Sequence, residues 1–161
     1  MTDPGAAGFE TGRARTGRTV EETMMRNCQL DLPLTLTRWV TSDHQVAVDS
    51  VFTYDPCDPL VVTVAFQAAD EWPVRWAVAR DLIADGLATR SGEGDVALWP
   101  LYDLGSDPVS VCLRVSNPGG TALFEIPYEP IAAWLDETYG LVARGGELDG
   151  VEWDDLLQPA D

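Results

Sequence analysis

The chain contains no lysine. Its ten basic residues are all arginine and stand against 27 acidic ones, giving a formal net charge of −17 over 161 residues. It has one histidine, His44. A lone imidazole excludes a two-histidine metal pair and the H-E-x-x-H arrangement of zinc proteases. His44 lies in the polar run Ser42-Asp43-His44-Gln45, between two strand-like runs, and reads as a surface residue. No G-x-S-x-G nucleophile elbow is present. Cys28, Cys57 and Cys112 are far apart, odd in number and without a C-x-x-C pair, which argues against a disulfide scaffold and a zinc site. Cys28 and Cys112 fall in strand-like runs and are expected to be buried structural thiols. The N-terminus lacks the apolar core of a signal peptide. No apolar run approaches the roughly 18 residues of a membrane span. The expectation is a cytoplasmic, reduced protein with no direct membrane insertion.

The charge is unevenly placed. Residues 1–27 balance four acids with four arginines, so the rest of the chain carries the whole −17. A surface of that sign repels phosphate backbones and anionic lipids, which disfavours nucleic acid as a partner. Residues 1–27 are rich in Gly, Thr, Ala and Arg without hydrophobic period, and read as a disordered tail. Met24 or Met25, just ahead of the first strand, is the expected natural start. Residues 28–161 read as one domain. At 45% apolar, the chain can bury a real core.

From Cys28 onward, apolar residues alternate with period two, the mark of half-buried strands. The series Leu30, Leu32, Leu34, Leu36 makes the first. Pro33 inside it predicts an edge strand or a bulge, because proline cannot donate to a ladder. Strands follow at Val46–Thr53, Leu60–Phe66 and Val74–Val78, then a short helix over Arg80–Leu87 with Leu82, Ile83 and Leu87 on one apolar stripe. A fifth strand, Asp95–Trp99, is expected to close at Pro100. A sixth runs from Val109, and Asn117-Pro-Gly-Gly120 turns it into a seventh, Thr121–Ile126. Ile131, Trp134, Leu135 and Tyr139 then fall at helical spacing, with Gly140 as the stop. Val151–Leu157 reads as a short acidic helix with Trp153, Leu156 and Leu157 turned inward. The fold class is α+β: antiparallel sheets of about seven strands with two or three short helices.

The remaining candidates for chemistry are weak. Gly92-Glu93-Gly94-Asp95 has a G-x-G core but no third glycine and no Walker lysine, and its acid would face any phosphate. It reads as a tight turn. Glu147, Asp149, Glu152, Asp154 and Asp155 do not match the spacing of an EF-hand loop and read as a solvated acidic end. The tryptophans Trp39, Trp72, Trp76, Trp99, Trp134 and Trp153 could stack bases. They are not interleaved with basic residues, so most are expected to be core or subunit-interface anchors. No catalytic, cofactor or metal residues are assigned.

One ordered set of residues goes further: Tyr54, Asp55, Asp58 and Pro59; then Trp76, Arg80, Asp81, Leu82, Gly86 and Leu87; then Gly92, Gly94, Asp95, Val96, Trp99 and Pro100; then Glu125, Pro127 and Trp134. In this combination the chain resembles the SsgA-like family of sporulation and cell-division regulators of actinomycetes, over about 130 residues. Members often carry Tyr-Ala after the Asp-Pro pair, where this chain has Leu60-Val61. The resemblance implies a non-enzymatic adaptor that controls where septa form and how septal or spore-wall peptidoglycan is built. It implies a homotrimer, a fold like that of the whirly single-stranded nucleic-acid-binding proteins, contact with the tubulin-like division GTPase, and recruitment to division septa. The whirly likeness supplies an alternative, a single-stranded nucleic-acid binder, which the charge opposes. Among the signature residues, Trp76 and Trp99 are expected to pack between sheet and helix. Gly92 and Gly94 would set turn geometry, and Arg80 with Asp81 would form a helix-start charge pair. The contact surface is expected to lie elsewhere.

Overall fold

Period-two alternation produces seven strands, and their order explains where the core sits. In the computed structural model, residues 28–67 and 73–157 are described. The tail, the expected start at Met24 or Met25, and Trp72 lie outside the described residues. The elements run β1 (Leu30–Thr41), β2 (His44–Tyr54), β3 (Val61–Phe66), β4 (Val74–Ala79), α1 (Arg80–Ala88), β5 (Val96–Tyr102), β6 (Pro108–Asn117), β7 (Gly120–Pro127), α2 (Tyr128–Leu141) and α3 (Trp153–Leu156). The strands form one antiparallel sheet in the order β4-β3-β2-β1-β7-β6-β5, so the α+β expectation holds with a single sheet.

The sheet is curled. Phe66 on β3 and Phe124 on β7 stack with ring centroids 4.4 Å apart and planes 17° apart. In a flat sheet the two strands would lie about 14 Å apart, because β2 and β1 intervene at about 4.8 Å per step. Curling turns the leucine face of β1, with Phe52, Val64, Leu113 and Ile126, into a concave interior. Helix α2 covers one end of it with Ile131, Trp134 and Leu135, and the Trp134 ring meets Phe52 edge-on at 6.2 Å. Burial at this density removes apolar surface from water at about 25 cal/mol per Å², the main force holding the curl.

The two prolines inside strands, Pro33 and Pro100, are placed by the ladder, while Pro108 and Pro127 stand at strand ends. Pro100 does not close β5, which continues to Tyr102. The outer edge of β5 carries only a bridge in which Leu98 and Ser91 exchange backbone hydrogen bonds. Leu98 therefore points its N–H outward, and the Pro100 nitrogen, two residues on and without an N–H, faces the same way, where no ladder bond is needed. Pro33 sits in a strand that is central in the sheet. β7 pairs with β1 only over Thr37–Trp39, so the Pro33 half of β1 has its ladder on the β2 side alone. The predicted edge is a local one.

Other expectations are corrected. Gly140 lies inside α2, which ends at Leu141. His44 opens β2 and is exposed. Cys112 is buried, but Cys28 is exposed, because it precedes β1 rather than lying within it. Trp153 is 53% exposed and Leu157 76% exposed, so the terminal helix does not turn them inward. Four residues form too short a helix to bury an apolar face against the domain.

Candidate functional site

One signature residue, Arg80, is a buried arginine, and it is not paired as expected. Arg80 follows β4 directly as the first residue of α1 and is 1% exposed. Its Nη1 donates to the carbonyls of Thr138 (3.0 Å) and Val142 (2.8 Å), at the C-terminal end of α2. Its Nη2 donates to Glu147 Oε1 at 2.9 Å. The guanidinium lies 4.1 Å from the Tyr139 ring centroid and 4.8 Å from that of Tyr54. A cation at a helix C-terminus meets unsatisfied carbonyls and the negative end of the dipole, so Arg80 caps α2 from another element.

Asp81 turns the other way. It accepts from Tyr139 Oη at 2.7 Å and faces Arg144 Nε at 3.4 Å, and Arg144 Nη2 reaches Asp85 Oδ1 at 2.9 Å. Successive helical residues point about 100° apart, which is why the Arg80–Asp81 charge pair does not form. Glu147 is no part of a solvated acidic end: its side chain is 7% exposed. Hydrogen bonds from its own backbone N–H and from Arg80, and another from Gly145 N–H, hold its carboxyl below the usual range. Burial and the hydrogen bond to Asp81 push the Tyr139 phenol up. Burial also raises the Tyr54 phenol, against the nearby Arg80 charge.

The other signature positions divide by role. Leu82 and Leu87 are half-buried beside buried Ile83 on α1, as the stripe predicts. Gly86 is buried against β5, where an added Cβ would overlap Leu98 Cβ. Gly92 has φ +91°, and a Cβ there would strike the Val96 carbonyl oxygen. Gly94 has neither constraint, so the turn geometry rests on Gly92 alone. Asp95 is exposed and its carbonyl accepts from Ser116 N–H at 2.8 Å. Trp99 does not pack between sheet and helix. Alternation places it opposite Leu98, on the convex face, where the Arg90 guanidinium lies 4.5 Å over its ring. Beneath it, burial and the nearby Glu125 carboxylate push the Cys112 thiol up to about 11. Trp39 Nε1 donates to Glu125 Oε1 at 2.9 Å on the same face. Of the described tryptophans, only Trp134 is fully core.

Trp76 is half-buried and faces the concave side. It lines an open cleft of about 720 Å³ between the β2–β4 arm and the β6–β7 hairpin, with the Phe66–Phe124 stack in its wall. Sequence reading missed this cleft, since Val46, Phe66, Ala122 and Phe124 come from separate runs that carry only strand patterning. Glu147 reads as solvated for a different reason: it lies in a loop, which carries no periodic burial signal. Among the described residues no three His, Cys, Asp or Glu side chains converge to hold a metal ion. Among the described helices, none is long and apolar enough to cross a membrane.

Comparison with known proteins agrees with this arrangement. A family described as "Streptomyces sporulation and cell division protein, SsgA" matches residues 48–147, from within β2 to Glu147. The chain is 35% identical over 130 residues to the sporulation-specific cell division protein SsgB of Frankia casuarinae, covering 81% of this chain and 90% of that one. It is 41% identical over 112 residues to SsgB of Saccharopolyspora erythraea, covering 70% and 77%. A solved SsgB structure, reported with mutations that correlate to longitudinal cell division during sporulation of Streptomyces coelicolor, superposes with a TM-score of 0.69 at 35% identity, covering 75% and 94%. A crystal structure of an SsgA-like sporulation-specific cell division protein from Thermobifida fusca gives 0.69 at 32% identity, covering 80% and 93%. With the curled sheet, the placed signature residues and these relatives in agreement, the chain belongs to the SsgA-like family.

Proposed function

We propose that this chain acts in sporulation-specific cell division, as a non-enzymatic, oligomeric adaptor that helps set septum sites and directs septal or spore-wall peptidoglycan. The observation that carries the reading is the likeness to SsgB, 35% identity that spans 90% of the relative's length. The signature residues support it in a particular way. One of them, Arg80, ties α1, α2 and the 142–147 segment together, a use that suits a rigid platform for protein contacts. On this reading the chain is recruited from the cytoplasm to division septa and contacts the tubulin-like division GTPase.

The test is complementation. A sporulating actinomycete lacking its own SsgB receives this chain fused to a fluorescent reporter, and septa are imaged. Restored septation with septal fluorescence is the expected result. Unchanged aseptate filaments, with the protein expressed and folded, would overturn the reading. Light scattering tests the oligomer separately: a species of 17.5 kDa at working concentration is a monomer and refutes the trimer.

A further inference from the structure

The sheet has two edge strands, β4 and β5, and they are treated differently. On β5, Leu98 exchanges its outward N–H and C=O with Ser91, and Pro100, the next outward residue, has no N–H to offer. Bridges and prolines of this kind keep an edge strand from pairing with another chain. β4 has neither device. Val74–Ala79 contains no proline and no register shift, and no described residue pairs with its outer side.

The register fixes which groups face out. Arg80 N–H donates to the Leu60 carbonyl at 2.9 Å, one step beyond the Val61–Ala79 pair of the β3–β4 ladder. Hydrogen-bonded and non-hydrogen-bonded positions alternate along an antiparallel pair. Val78, Trp76 and Val74 therefore bond to β3, while Ala77 and Arg75 turn their N–H and C=O groups away from it. Among the described residues these four outward groups have no backbone partner.

The side chains along the edge define what fits it. Trp76 is half-buried on the concave side, next to Val74, which is 50% exposed. A residue opposite Trp76 on an added strand takes the closer, non-hydrogen-bonded spacing, so an apolar side chain there covers the indole. On the convex side Ala77 is small and admits any neighbour. Arg75 is exposed, its ladder neighbours Ala65 and Val51 are uncharged, and among the described residues it makes no ion pair. An acid opposite it completes a cross-strand ion pair. β4 itself holds no acid, so pairing with the same strand of a second copy leaves Arg75 unmatched. We infer that the open edge of β4 takes an extended segment of another protein as an added antiparallel strand, with an acid opposite Arg75 and an apolar residue opposite Trp76. The inference rests on the edge geometry, and its failure would leave the role in division untouched.

The test titrates the full chain, labelled with nitrogen-15, with the end-blocked peptide Ser-Thr-Val-Thr-Val-Glu-Ser, whose alternation sets glutamate opposite Arg75 and valine opposite Trp76. Saturable shifts and slowed hydrogen exchange are expected at the Arg75 and Ala77 amides. N-methylation of the threonine opposite Ala77 removes an N–H that points at β4 and should weaken binding about tenfold. N-methylation of the valine opposite Trp76, whose N–H points away, should stay within about twofold. Lysine in place of the glutamate should weaken binding about fivefold, and equal binding rejects the acid assignment. Equal binding of the two N-methylated peptides overturns the inference, as do shifts confined to other strands or the absence of saturable binding. Slow exchange at Arg75 and Ala77 without peptide would show an edge already occupied, by a second copy if light scattering gives an oligomer and by the chain itself if it gives a monomer. Either result overturns the inference as well.

Discussion

Arg80 Nη2 and Glu147 Oε1 meet at 2.9 Å across 67 residues of sequence, with both side chains nearly sealed from solvent. The same guanidinium caps α2 through two carbonyls. One residue at the start of the first helix thus fixes the end of the second helix and the loop beyond it.

Arg80→Leu should lower unfolding free energy by about 3 kcal/mol, since three charge-assisted hydrogen bonds are lost and helix carbonyls are left bare. Arg80→Lys should fall between the two, because an ammonium keeps the charge but cannot fork between carbonyls and a carboxylate. Urea denaturation measures both. Equal stability of all three proteins would show that the knot contributes nothing net.

The Glu147 carboxyl titrates below its ordinary value of 4.5 in the folded chain. Its stabilising contribution is then complete above 4.5 and disappears as pH falls through the lower folded value. The stability difference between the unaltered protein and Glu147→Gln should be constant at neutral pH and shrink in acid below 4.5. Thermal melts across that range check the sign, and a difference that grows in acid would refute it.

Gly86→Ala should be destabilising by about 2 kcal/mol despite the better helix propensity of alanine, because the added Cβ meets Leu98 Cβ. Leu98→Ala should not rescue it, since the obstructing atom is retained. A rescued double variant would place the clash further out on the leucine.

The two glycines of the turn before β5 should behave differently. Gly92→Ala forces an L residue to a φ of +91° and toward a carbonyl, and should cost about 2 kcal/mol. Gly94→Ala has open space and should stay within about 0.5 kcal/mol. Chemical denaturation of the pair separates them, and equal effects would reject the assignment.

A mobility shift with single-stranded DNA at about 50 mM salt should show no retention, because a net charge of −17 opposes the phosphate backbone most strongly when screening is weak. Salt-sensitive retention would restore the nucleic-acid alternative.

Seven strands, the three helices and their order were legible in the chain, because alternation and helical spacing are local signals. Leu30–Leu36 and Val111–Val115 announce their buried faces without reference to anything distant. The family was legible too, since the spacing of Trp76, Arg80, Gly86, Gly92 and Trp99 is itself a sequence property. What those residues do was not. Arg80 beside Asp81 looks like a local pair, and Glu147 among acids looks solvated. Only the fold brings α1 against the end of α2, and that placement depends on contacts between residues about sixty positions apart. The cleft was decided the same way. A strand pattern tells which side of Phe66 and Phe124 is buried, but the curl that stacks them, and leaves Trp76 and Arg38 facing open space, is a property of the whole sheet.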